Sequence, residues 1–263
     1  MRYLLAHLLL IISATAFSQT ALVKKDTVGS STITFQTTVF GKTDSGVVFL
    51  NVHENESTSV EAAKEILASA NKYAVTELQF KSGRMISFSY LDKNFTVDPN
   101  RIFTIKGCLA SLKKNSHKCS DDILKLAAEQ VMAFSKSYTD TFVDPKKLVV
   151  ALHNNTEGEP LSIITYKSDN ESKNAADVYM NLHRDPDDFF LTTEKIFFDF
   201  IKQKGFNVVL QNNDVVEDDG SLSVYAGKNK IPYINIEAQV GHLAEQKRMV
   251  EVVLELIRAK VKL

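Results

Sequence analysis

Three apolar runs in this chain end in a side chain able to bind a metal or move a proton: Val-Val-Phe-Leu-Asn-Val runs into His53, Leu-Val-Val-Ala-Leu into His153, and Tyr-Ile-Asn-Ile into Glu237. The first opens His53-Glu-Asn-Glu56, an imidazole and a carboxylate three residues apart. Zinc in a hydrolytic site takes three nitrogen or oxygen ligands and keeps a fourth position for water, and two His with one carboxylate is an established set. His53, Glu56 and His153 would supply it, leaving Glu54 to solvent or to support of the ligands. A His-x-x-Glu spacing taken alone is also what a solvated turn beside a helix produces. A second group, Asp98-Pro-Asn-Arg-Ile-Phe103, sets Arg101 just beyond a turn fixed by Pro99. The guanidinium fork is the side chain best shaped to hold a carboxylate through two parallel hydrogen bonds; a surface ion pair is its plainer use.

These residues need elements that bring them together. Short apolar runs alternate with amphipathic helices, the pattern of an α/β layered sheet. Strands are predicted at 32–40, 47–52, 76–80, 85–91, 148–152, 162–166, 207–211 and 233–236. Turn chemistry at 42–46 makes a hairpin of the first two. Thr58-Ser-Val-Glu61 has the form of a capping box, with Glu61 in the capping role, and Val60, Ala63, Ile66, Leu67 and Ala70 follow at helical spacing. Further helices are predicted at 121–137, 193–204 (stopped by Gly205) and 243–260. The run 148–152 is apolar on both faces, as in a central strand covered by helices. Ligands in open α/β sheets bind beyond the carboxyl ends of strands, so His53, His153 and Glu237 can converge there.

In that order, His53-x-x-Glu56, Asn100-Arg101-x-Phe103, a strand-ending His153 and Ile236-Glu237 resemble the zinc carboxypeptidases of the carboxypeptidase A type, a superfamily that includes the aspartoacylase and succinylglutamate desuccinylase branch. The resemblance spans residues 53–237 and implies a three-layer α/β/α sandwich around a mixed, largely parallel central sheet. It implies one zinc ion on His53, Glu56 and His153, Glu237 as general base, and Asn100 with Arg101 as the clamp for a substrate carboxylate. Gly220-Ser-Leu-Ser-Val-Tyr225 is similar to the family's stretch ending in a mobile tyrosine, which makes Tyr225 a substrate-closing residue, and Arg84 aligns with an oxyanion-stabilising arginine. The implied substrates are peptides, peptidoglycan stem peptides or N-acyl amino acids. Two positions depart from the family: Glu54 stands where glycine usually follows the first His, and Ala151 where an aspartate often precedes the third ligand. The second departure bears on metal affinity, because partners of the ligands tune it, and keeps open a secreted binding protein that retains the fold without catalysis.

Composition narrows the partners and the address. Lys plus Arg number 31 against 32 Asp plus Glu, and this even balance argues against a nucleic-acid binder held by phosphate contacts. Arg2, the apolar run 8–12 and the small residues around Ala16-Phe17-Ser18 read as an export signal ending before Gln19. The run is too short to span a membrane. The expected product is a periplasmic or secreted single domain, 19–263, with no span of its own. In such a compartment Cys108 and Cys119 read as one small disulfide loop, with free thiols or a metal role as alternatives. His117 and His183 fall in polar loops, and His242 either lines the pocket or begins the last helix.

Overall fold

The computed structural model describes residues 19–41, 46–156, 161–168 and 171–261. The export signal and most of the 42–46 turn lie outside the described residues. The chain runs β1 (Gln19–Val28), β2 (Ser31–Phe40), β3 (Val47–Asn51), α1 (Ser57–Ala70), β4 (Ala74–Gln79), β5 (Ile86–Tyr90), β6 (Lys93–Val97), α2 (Ile105–Asn115), α3 (Asp121–Tyr138), β7 (Leu148–Asn155), β8 (Ala175–Tyr179), β9 (Phe189–Thr192), α4 (Lys195–Gln203), β10 (Val208–Gln211), α5 (Leu222–Lys228), β11 (Tyr233–Gln239) and α6 (Leu243–Lys260).

Nine strands form one mixed sheet in the order β1-β2-β4-β3-β7-β11-β9-β10-β8, and β5 and β6 make a separate hairpin. The centre, β4-β3-β7-β11, is parallel. Antiparallel pairs join β1 to β2, β2 to β4, β11 to β9 and β10 to β8. β7 is buried along its whole length, as its apolar run predicts. Alternate residues of the central strands feed two cores. Val149, Ala151, Tyr233 and Leu191 pack under α2, α3 and α5, through Leu112, Phe134 and Leu222 among others. Val150, Leu152, Ile234 and Ile236 pack under α1, α4 and α6, through Leu67, Phe198 and Met249. The layers are therefore helix, sheet, helix. No helix among the described residues is long and apolar enough to cross a membrane.

Several local expectations are corrected. β2 and β3 do not pair with each other: β4 lies between them, because the parallel β3–α1–β4 unit returns the chain to the open edge of β3. The segment 162–166 is a 3-10 turn (Ile163–Lys167) started by Ser162, which accepts from the Ile164 amide, and not a strand. The Thr58–Glu61 capping box is not formed. α1 starts one residue before Thr58, whose hydroxyl accepts from the Gly241 amide, and Asn154 accepts from the Ser59 amide in the first turn. Cys108 lies on the buried face of α2 and Cys119 just before α3, and both are free thiols rather than a disulfide. Burial in the apolar core pushes the Cys108 thiol up to about 12, so it packs as a small hydrophobe.

Candidate active site

β3 ends at Asn51, and two residues later His53 turns under the sheet's carboxyl edge. β7 and β11 run further than their apolar runs, to Asn155 and Gln239, so His153 and Glu237 stand on the strands as direct partners in the parallel ladder. Glu56 is the residue immediately before α1 and contributes no cap. Its carboxylate is thus free to face the two imidazoles. Asn154 locks this corner. Its side chain accepts from the Ser59 amide at 2.9 Å and donates to the Ala238 carbonyl and to Gln246, while Gln246 donates to the His153 carbonyl at 3.0 Å.

One potential ligand atom from each of His53, Glu56 and His153 lies within 4.8 Å of the others, and all three residues are buried. His53 Nδ1 stands 2.8 Å from Glu56 Oε1 and His153 Nδ1 3.0 Å from Glu56 Oε2. The first contact is close but out of line for a hydrogen bond, which leaves His53 Nδ1 a buried atom without a hydrogen-bond partner. A buried ring nitrogen without a hydrogen-bond partner, 2.8 Å from a carboxylate oxygen, is a donor pair that a cation beside them would use. The side chains therefore fit a divalent metal. Asp98 fixes the His53 ring from behind: its Oδ1 lies 2.9 Å from His53 Nε2 and also accepts from the Asn100 amide at 2.8 Å. That bond places the ring proton on Nε2 and leaves Nδ1 as the donor to metal. Asp98 is the functional residue the sequence reading passed over. Its signal was present, an acid opening the Asp-Pro-Asn-Arg turn, but nothing local shows that it meets His53, 45 residues away.

Burial opposes charge on these groups, and pairing decides the outcome. On Glu56 the imidazoles of His153 and His53 outweigh burial and hold the carboxyl far below its usual range. On Asp98 the His53 partner does the same, holding it down to about 2. His53 is kept above its ordinary value because Glu56 and Asp98 outweigh desolvation. Glu237 goes the other way. It is 3% exposed, and burial, opposed mainly by His153, pushes its carboxyl up to about 7, the range suited to a base at neutral pH.

The cavity over these groups has a volume of about 170 Å³ and is also lined by Arg84, Asn100 and Arg101. Arg84 Nη1 lies 2.6 Å from Glu56 Oε1, so this guanidinium sits at the ligand carboxylate. Arg101 opens on the cavity, with Nη1 donating to the Asn100 carbonyl at 2.7 Å and Nη2 3.5 Å from Asp219. Asn100 faces the cavity but spends its carboxamide oxygen on the Leu222 amide at the start of α5. Tyr225 does not join them. Ser221 caps α5, which carries Tyr225 in its second turn; the phenol donates to Asp144 at 2.9 Å and the ring packs on Phe103. The Gly-Ser-Leu-Ser-Val-Tyr stretch is a helix start, and helical geometry turns Tyr225 away. His242 precedes α6 with Nδ1 2.9 Å from Asp188, outside the cavity lining. Ala151 is buried in the sheet, and no side chain among the described residues takes the place of an aspartate there: His153 Nε2 is buried without a partner.

No family model matches the chain, and no curated protein matches it. Among solved structures it is similar to a provisionally assigned succinylglutamate desuccinylase/aspartoacylase from Shewanella frigidimarina NCIMB 400, at 11% identity over 92% of this chain and 72% of that one, with a TM-score of 0.40. It is similar to the murein-tripeptide amidase MpaA of Escherichia coli O157 at 11% identity over 88% of this chain and 91% of that one, TM-score 0.38. A metallo-carboxypeptidase from Burkholderia cenocepacia is 11% identical over 91% of this chain and 65% of that one, TM-score 0.43. These likenesses are at low identity and carry no assignment of function. At such scores the chemistry of the site rests on its own side chains.

Proposed function

We propose that this protein is a zinc-dependent hydrolase that cleaves an amide bond in a carboxylate-bearing substrate, either a peptide or a peptidoglycan stem peptide. The observation that carries the reading is the meeting of His53, Glu56 and His153 within 4.8 Å, beside a Glu237 whose carboxyl is pushed up to about 7. His53 through Nδ1, His153 through Nδ1 and the Glu56 carboxylate would hold the ion. Bound there, zinc would supply a water of lowered pKa and a Lewis acid for the substrate carbonyl. Arg101 orients the substrate by its carboxylate, with Asn100 setting the turn that carries it. Glu237 as carboxylate takes a proton from the attacking water and hands it to the departing amine. Arg84, held at the cavity wall by Glu56, offers N–H donors to the oxygen that gains charge. Asp98 keeps His53 in the tautomer that presents Nδ1.

Metal analysis of the purified protein, with turnover of hippuryl-type peptides and of N-acyl aspartate measured before and after a chelator, tests the reading. About one zinc per chain and peptide turnover lost on chelation is the expected result. A folded, metal-free protein that still binds peptides would overturn it, and turnover confined to N-acyl aspartate would move the substrate to the deacylase class. The apolar amino terminus supports export, and mature protein beginning at Gln19 on amino-terminal sequencing is the matching expectation.

A further inference from the structure

β5 and β6 form a hairpin whose first pair is Ile86 with Val97. Arg84 lies just before that pair and Asp98 directly after it, so the chain enters and leaves the hairpin at one end. Both residues reach the short connection between β3 and α1: Asp98 meets His53 at 2.9 Å and Arg84 meets Glu56 at 2.6 Å. Glu54, between those two partners, turns to the same hairpin. A single oxygen of its carboxylate, Oε2, accepts from the Phe80 amide at 3.1 Å and from the Lys81 amide at 2.6 Å.

The entry to the hairpin needs such a hold. Residues 81–84 are exposed, so burial does not fix them. Lys81 has φ 60° and Gly83 φ 79°, left-handed conformations that follow the end of β4 at Gln79. The Ser82 hydroxyl donates to the Met85 carbonyl at 2.6 Å, which closes the loop on itself without tying it to anything else. The far end of the hairpin is secured separately, by the Ser30 amide on the Ser89 carbonyl at 3.0 Å and the Ser89 amide on the Ser30 hydroxyl at 2.9 Å. Successive amides converging on one oxygen make a small anion-binding concavity. Bonds to an ionised acceptor are also the stronger kind.

The Arg84–Glu56 pair is a poor substitute for this anchor. Glu56 is one of the three side chains that meet within 4.8 Å, and a cation held there would draw its charge away from the guanidinium. The Arg84 side chain is 48% exposed, so water competes for it. Glu54 lies outside the cavity lining and keeps both amide bonds whatever Glu56 serves.

Building on the hydrolase reading, we infer that Glu54 is a positioning residue: its carboxylate anchors the 80–85 loop and so keeps the Arg84 guanidinium at the cavity wall while Glu56 serves as a metal ligand. It touches neither substrate nor metal and acts through Arg84.

The test uses the full zinc-loaded chain as wild type, Glu54→Ala, Glu54→Gln, Arg84→Ala and the double variant Glu54→Ala with Arg84→Ala. With benzoylglycyl-phenylalanine as substrate, Glu54→Ala should lower kcat by about tenfold or more, with KM within about twofold and zinc content unchanged, because small misplacements of a working group are costly. Glu54→Gln keeps an oxygen for the two amides and should stay within about threefold of wild type. Added to Arg84→Ala, Glu54→Ala should change kcat by less than about twofold, as for residues that act through one another. Losses that multiply in the double variant, or wild-type kcat in Glu54→Ala, would overturn the assignment.

Two readouts by nuclear magnetic resonance do not depend on turnover. Glu54→Ala should speed exchange of the Phe80 and Lys81 amides by about tenfold or more while the Ser89 amide exchanges as before. The Arg84 Nε–H signal should move toward that of exposed arginines. Unchanged exchange with an unmoved signal would refute the anchor even in a protein that hydrolyses peptides. The expected changes in a zinc-bound protein that hydrolyses no peptide would uphold the anchor and refute the hydrolase.

Discussion

Glu237 is buried and Asp98 half-buried, both beside imidazoles, yet their carboxyls are driven in opposite directions, and their partners explain it. Asp98 accepts directly from His53 and from the Asn100 amide, so its charged form is held by hydrogen bonds. Glu237 receives one amide bond, from Asn235, faces the negative Glu56, and is dominated by desolvation. Because Glu237 must lose its proton to act, kcat/KM should climb with pH along a limb centred no higher than about 7; a bound cation favours the carboxylate and can only move the limb down. A limb centred at pH 8 or above would exclude Glu237 as the base. Glu237→Gln should retain zinc while kcat falls by about 10²–10⁴-fold, measured by metal content and turnover on the same sample. Asp98→Ala should weaken zinc by about 10–100-fold, read by competition with a chelating dye. Folding lowers the Asp98 pKa from its ordinary 3.8 to about 2. The stability it contributes is therefore complete above about pH 4 and lost as pH falls through 2, whereas Asp98→Asn should show no such loss from this residue.

At the scale of elements, the substrate side of the site depends on two loops laced together. The Phe103 amide donates to the Gly220 carbonyl, the Leu222 amide to Asn100, and Thr104 to Asp218. A Cβ on Gly107 would lie 2.2 Å from Gly220 Cα, closer than any side chain can approach. Gly107→Ala should therefore part the Arg101 turn from the start of α5. KM for carboxylate-bearing substrates should rise, with zinc content unchanged; an unaltered KM would show that the lacing does not position Arg101. On the metal side, Asn154 ties α1, β7, β11 and α6 at one point, and Asn154→Ala would leave the Ser59 amide and the Gln246 Oε1 atom without those partners in a buried setting. A loss of about 1–3 kcal/mol is expected, measured by chemical denaturation of the metal-free protein.

Across the whole molecule, binding at the His53, Glu56 and His153 site joins residues from three parts of the chain, so metal should stabilise the fold as a unit. The raised pKa of His53 means that the metal-free fold is stabilised by its proton below the ordinary 6.5 and loses that contribution as pH rises through the higher folded value. Zinc needs the neutral ring, so the rise in Tm on adding zinc should be larger at pH 8 than at pH 6. An equal rise at both would place the ion elsewhere. The available chemistry was legible along the chain, in the ligand types, the Asp-Pro-Asn-Arg turn, the doubly apolar central run and the alternation of strands and helices, because periodicity and side-chain chemistry are local properties. Which of those residues meet was set by the packing of distant segments. Sheet order put β4 between β2 and β3 and set His153 beside Glu237; the close passage of the 98–101 turn brought Asp98 to His53; the helical start of α5 turned Tyr225 aside; and the packing of α2 kept Cys108 from Cys119. Such outcomes follow from pairing and packing between segments far apart in the chain, which no short stretch of residues encodes.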